Sequence, residues 1–111
     1  MTSASRKQRS RETEAVVAER LQEVFPGAAR IPASLPGNDI LNTPGHAIEC
    51  KARRDLRLVE WLRQVGRRAK DDELPVVIHR PDGFGPATVD DWPVTMPMWA
   101  YIELLKRERK Q

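Results

Sequence analysis

The chain has 111 residues, 40% of them hydrophobic, with three tryptophans and one cysteine. That suffices for a single folded domain with a modest core, and it excludes an intrachain disulfide, which fits a reducing, cytoplasmic setting. No apolar run reaches the roughly 18 residues of a membrane span, no secretory signal is expected, and a net charge of +3 is too small for a histone-like polycation.

Taken in order, residues 1–9 read as a flexible basic arm ahead of one domain over 10–111. Ser10 is placed to cap a helix, with Glu12 and Glu14 in its first turns, where acids favour the helix dipole. Ala15, Val16, Ala18, Leu21, Val24 and Phe25 carry a helical period to Pro26-Gly27. Residues 28–32 suit a short strand, and 34–38 a loop. Ile40 and Leu41 form a strand after Asp39. The turn Asn42-Thr43-Pro44-Gly45 then leads to a strand over 46–51, so these two strands are expected as a hairpin.

From 57 to 70 the apolar residues Leu58, Leu62, Val65 and Ala69 fall on one helical stripe bordered by Trp61. Residues 75–79 read as a buried strand, 86–90 as a further strand and 92–95 as extended chain. Pro97 opens a last helix to about residue 108. The expected class is α/β (α+β), in the order α-β-β-β-α-β-β-α, with a mixed central sheet flanked by helices.

The chemistry concentrates in GNDILNTPGHAIECKAR, residues 37–53. Alternate residues of a strand point to opposite faces. Glu49 and Lys51 therefore lie side by side, while Ile48 and Cys50 turn to the core. Carboxylates beside an ammonium suit a hard divalent cation, and Mg²⁺ takes one or two carboxylates plus water and phosphate oxygens. The same pattern also suits a surface strand edge carrying solubilising charges, and Glu108-Arg109-Lys110 repeats the spacing in a polar tail. Only the first copy is embedded in strand-like sequence behind a turn-flanked aspartate. Basic residues cluster before the first helix, at 51–57, on the helix after them and at 106–110, as a polyanion partner requires.

With Glu14 in the first helix, Asp39 after a loop, Glu49-Cys50-Lys51 in the next strand and Gln64 on the next helix, the chain resembles the PD-(D/E)XK nuclease superfamily. Within it, WLRQVGRRA, VVIHRPDGFG and DWPVTMP resemble a phage and actinobacterial subgroup of Holliday junction resolvase-like proteins. The resemblance spans about residues 10–105. It departs from the family pattern at Asn38, where the family has proline, and Glu12 is an alternative to Glu14.

The resemblance implies a restriction-endonuclease-like core and Mg²⁺- or Mn²⁺-dependent hydrolysis of DNA phosphodiesters, at four-way junctions. It implies that Asp39 and Glu49 bind the metal and that Glu14 completes the site. Lys51 then orients or deprotonates the attacking water and stabilises phosphate charge, and Gln64 positions the water or the metal shell. Arg9, Arg11, Arg53, Arg54 and Arg57 are candidate phosphate contacts. A two-fold homodimer is expected, with residues 92–105 as its apolar interface. A DNA-binding protein that keeps the fold without the activity, and a nuclease for flaps, mismatches or linear DNA, are the alternatives. His46 and His79 read as structural, and Cys50 as a core residue.

Overall fold

A computed structural model describes residues 3–32 and 35–110. Met1, Thr2, Ala33, Ser34 and Gln111 lie outside the described residues, and with them the start of the expected arm and of the expected 34–38 loop. The elements are α1 (Ser3–Leu21), β1 (Ala29–Arg30), β2 (Ile40–Leu41), β3 (His46–Lys51), α2 (Leu58–Arg68), β4 (Leu74–His79), a 3-10 helix at Pro86–Asp91, β5 (Val94–Thr95) and α3 (Met98–Arg109). The fold is a mixed α+β structure, as expected.

β4 is the central strand, and all six of its residues are buried. A strand covered on both faces reads as an unbroken apolar run rather than an alternating one. β3 pairs with it in parallel, in the register Ile48–Val76, Glu49–Val77, Cys50–Ile78 and Lys51–His79. β5 pairs antiparallel on its other edge. Alternation divides the core between the two faces of this sheet. Ile48, Cys50, Val76 and Ile78 pack with Val17 and Ala18 of α1 and with Trp92. Ala47 and Val77 pack with Trp61 and Val65 of α2. Glu49 and Lys51, on Ala47's face, therefore lie on the α2 side.

Three expectations are corrected. Residues 3–9 are not an arm but the first turns of α1. The stretch is rich in Ala, Arg, Lys and Gln and free of Gly and Pro, so nothing in it opposes the helix, and Ser10 lies inside the helix rather than capping it. β2 does not form a hairpin with β3; it pairs antiparallel with β1, Ala29 opposite Leu41 and Arg30 opposite Ile40. Asn42, at φ 63°, turns the chain away directly after β2, and Asp39, not β2, runs along β3. Finally, residues 86–91 wind into a 3-10 helix rather than a strand. Pro86 presets the helical φ at its start, and the Thr88 hydroxyl donates back to the Gly85 carbonyl (2.9 Å).

Arg80 is buried at the end of β4 and ties α1 to the turn that follows. Its Nη1 donates to Glu12 Oε1 (2.7 Å) and Thr13 Oγ1 (3.2 Å), and its Nε to the Phe84 carbonyl (2.7 Å). The guanidinium also lies 5.4 Å from the Trp92 ring centre, within cation–π range. Among the described residues no helix is long and apolar enough to cross a membrane.

Candidate metal and nucleic-acid site

β3 has one edge against β4 and one edge free, and Asp39 occupies the free edge. Its N–H donates to the Ile48 carbonyl (3.1 Å), and its Oδ2 accepts from the Cys50 N–H (2.8 Å). The aspartate thus satisfies the next two backbone groups of β3 as a paired strand would. This fixes its carboxylate at the sheet edge, between the two faces. From there it acts on groups on both sides, Glu14 of α1 and Lys51 and Arg68 on the α2 side.

On the α2 face, Glu49 is buried. Its Oε1 lies 3.2 Å from Lys51 Nζ. Its Oε2 forms an ion pair with Arg68 Nη2. Lys51 in turn lies 5.9 Å from the centre of the Trp61 ring. Asp39 and Glu49 therefore share the same two cationic neighbours. Glu14 lies near Asp39, with Arg30 Nε 3.6 Å from its Oε1. Glu12, the alternative helix-1 acid, is engaged by Arg80 instead, so the structure brings Glu14, not Glu12, to Asp39.

Burial sets the electrostatics. It pushes the Asp39 carboxyl above its ordinary value, against the opposing pull of the Cys50 N–H and of Lys51 and Arg68. It pushes Glu14 up as well, and the charge of Asp39 adds to this while Arg30 opposes it. Burial lowers the Lys51 amine, with Asp39 opposing, and raises the Cys50 thiol well above its usual range. Cys50 is thus an inert core residue, as expected. A fold that holds two carboxyls above their ordinary values gives up stability to do so.

The sign of that cost gives a prediction. For Asp39 the unfolded chain loses its proton first as pH rises, so the folded state holds more protons in that window and stability falls. Asp39→Asn keeps an oxygen for the Cys50 N–H but carries no charge. The melting temperature of Asp39→Asn in EDTA should therefore exceed that of the wild type by a margin that grows from pH 4 towards neutrality. A margin that shrinks over that range, or a variant less stable throughout, contradicts this account of the site.

The other expected residues fall around this centre. Gln64 lines the cleft that contains Lys51, Arg53, Arg54 and Arg57. A second cleft of about 510 Å³ contains Arg9, Arg11, Glu14 and Arg30. Arg6, Arg9 and Arg53 line both, so the two clefts adjoin as one basic groove with Glu14, Lys51 and Gln64 on its walls. All five arginines named as phosphate contacts lie in it.

Among the described residues, however, no three His, Cys, Asp or Glu side chains gather as a metal site. The expected three-acid centre does not form, because Arg30 holds Glu14 and Lys51 and Arg68 hold Glu49. The donors fit a narrower site. Asp39 and Glu49 offer hard carboxylate oxygens with Lys51 and Arg68 as common neighbours, and two carboxylates are within what Mg²⁺ requires.

Arg68 is the residue of this centre that the sequence did not single out. His79 is buried, and its Nε2 lies 3.0 Å from the Arg53 carbonyl, which anchors the turn after β3. The structural role expected of it is what the geometry gives. Arg68 stands seven residues after Trp61 and four after Gln64, which puts it on the flank of α2 that meets β3. That spacing was the available signal. His46 Nδ1 lies 3.1 Å from the Pro44 carbonyl within its own turn. No protein-family model, curated protein or solved structure matched the chain.

Proposed function

We propose that this protein is a divalent-metal-dependent DNA endonuclease acting on branched DNA, a Holliday junction resolvase in kind. The observation that carries this reading is that Glu14 and Lys51 line an arginine-rich groove, with the acids Glu49 and Asp39 among their neighbours. A purely structural ion-pair cluster has no need of that groove, and a simple DNA-binding surface has no need of buried acids beneath its phosphate contacts.

Asp39 and Glu49 would hold one Mg²⁺ or Mn²⁺, which supplies Lewis-acid polarisation of the phosphate and a more acidic attacking water. Glu14, near Asp39 and on the groove wall, would complete the site directly or through water. Lys51 contributes an amine beside Glu49, placed to stabilise charge that develops on the phosphate. Its depressed affinity for a proton also suits it to exchange one with water. Gln64 offers an amide on the same cleft wall to orient water. Arg9, Arg11, Arg53, Arg54 and Arg57 would hold the backbone on either side, contacts that position DNA without reading its sequence.

The partner surface lies on α3. Ala100 is fully buried and Leu104 and Arg107 are half-buried, so these three form its inward face. Arg107 anchors that face to the Gly45 and Asp72 carbonyls. Met98, Tyr101, Ile102 and Leu105, spaced i, i+3, i+4 and i+7, form a second apolar stripe. Met98 is 74% exposed and Ile102 44%. A stripe of this kind suits an isologous homodimer, and two sites related by two-fold symmetry suit a junction with paired strands to cut.

Incubation with Mg²⁺ and labelled four-way junction, flap and linear duplex tests the proposal. The expected result is paired nicks in the junction, faster than cleavage of the other forms, with pairing lost in a monomeric Ile102→Glu. Junction binding without cleavage in either Mg²⁺ or Mn²⁺ would refute the enzyme. It would favour a DNA-binding role, a reading supported by how completely Lys51 and Arg68 neutralise Glu49.

A further inference from the structure

One guanidinium ties together the two segments that carry the carboxylates. Arg68 Nη1 donates to the Gly37 carbonyl (2.9 Å), two residues before Asp39. Its Nη2 pairs with Glu49 on β3, and its charge reaches Asp39. This is the bridging role that a cation between Asp39 and Glu49 would play. Two buried carboxylates need a counter-charge, because an uncompensated buried charge is strongly destabilising. Arg68 supplies it from outside the core. Its side chain is 39% exposed against 9% for Glu49, and the buried anchors of its helix are Trp61 and Val65, not Arg68. It is therefore free to swing away without unpacking α2. It occupies Glu49 Oε2, the oxygen that Lys51 leaves open to an incoming ion, and the like charges of guanidinium and divalent ion repel there.

From this geometry we infer that Arg68 is the resident counter-cation of the Asp39–Glu49 site, and that a divalent ion enters by displacing its guanidinium from Glu49. The inference rests on the metal reading above and adds the residue that competes with the metal. It makes metal loading a cation exchange. Ion affinity is then set partly by an arginine that coordinates nothing, and the same arginine keeps the free protein folded.

Mn²⁺ titration followed by electron paramagnetic resonance of the free ion, with thermal melts in EDTA and in saturating Mn²⁺, tests this without any substrate. Arg68→Gln should bind Mn²⁺ about tenfold more tightly than the wild type, the scale of removing one competing charge from a partly solvated site. It should melt below the wild type in EDTA, and saturating Mn²⁺ should close that gap. Arg67→Gln removes the same charge from the exposed neighbouring position, and its affinity should stay within about twofold of the wild type. Arg68→Lys keeps the charge with a single ammonium that cannot span Gly37 and Glu49, so it should fall between. It also serves if the glutamine variant does not fold.

Equal affinity in wild type and Arg68→Gln, or an equal gain from Arg67→Gln, would overturn the inference. Mn²⁺ binding that Asp39→Asn abolishes but no Arg68 variant alters would overturn the inference alone. Absence of binding in every variant, or binding that Asp39→Asn leaves intact, would overturn the metal reading with it.

Discussion

Lys51→Ala should reduce Mg²⁺-dependent junction cleavage by about a hundredfold to a thousandfold, the usual cost of removing one preorganised charge-stabilising group. Nothing else in the cleft can take its place. The Lys51 ammonium is held 3.2 Å from Glu49 Oε1 and over the Trp61 ring, and Arg68 faces the other oxygen of the same carboxylate. Lys51→Arg should not restore the activity, because a guanidinium keeps the charge but does not give up a proton near neutral pH. Junction affinity should change by less than about threefold, since Lys51 is one cation among many in the groove. Single-turnover rates with gel-shift affinities on the same preparations would decide it. A Lys51→Ala protein that cuts within tenfold of the wild-type rate would remove the amine from the chemistry.

The second large effect concerns binding. Arg6 and Arg53 each line both clefts of the basic groove. Replacing both with alanine should weaken junction binding by about a hundredfold at 0.1 M salt, and should flatten the dependence of log affinity on log salt by about 2, close to one unit per phosphate contact. Arg109→Ala, at the end of α3 and lining neither cleft, should leave both quantities unchanged. Equal salt slopes for the wild type and the Arg6/Arg53 double variant would show that the DNA backbone does not follow this groove.

Much of this molecule was legible where local pattern and tertiary demand agree. β3 and β4 read correctly because turn residues bound them and because burial on both faces leaves the central strand no polar position. The apolar stripe of α2 read correctly because its period is helical and it faces a sheet. The side-by-side placement of Glu49 and Lys51 followed from strand alternation alone.

What escaped the sequence were choices between partners. β2 has the composition to pair with either neighbour; the turn at Asn42 sends it to β1 and leaves Asp39 on the edge of β3. The first turns of α1 read as an arm because their charge masked good helix-forming residues. Pro86 reads as easily as a break before a strand as it does as a helix start. Glu12 and Glu14 were indistinguishable until Arg80, 66 positions beyond Glu14 in the chain, took one of them. Arg68 looked like any surface arginine because its role depends on a carboxylate from another element. The three acids were expected to meet at one point, yet Glu14 faces Arg30, Glu49 faces Lys51 and Arg68, and Asp39 accepts from the Cys50 N–H.

These corrections sharpen the site rather than dissolve it. Asp39 is held by the backbone of β3 and Glu49 by burial, while Glu14 lines the groove beside Arg30. The cations around them compensate charges that the fold would otherwise bury at a loss. Such an arrangement is costly as architecture.

The most direct measurement is a crystal of the protein soaked in Mn²⁺, with diffraction recorded at the manganese absorption edge. One anomalous peak is expected, with carboxylate oxygens of both Asp39 and Glu49 at about 2.0–2.3 Å, within the range for hard divalent ions, and the Arg68 guanidinium withdrawn from Glu49. A soaked crystal in which Arg68 still covers Glu49 and no peak lies between the two carboxylates would contradict it.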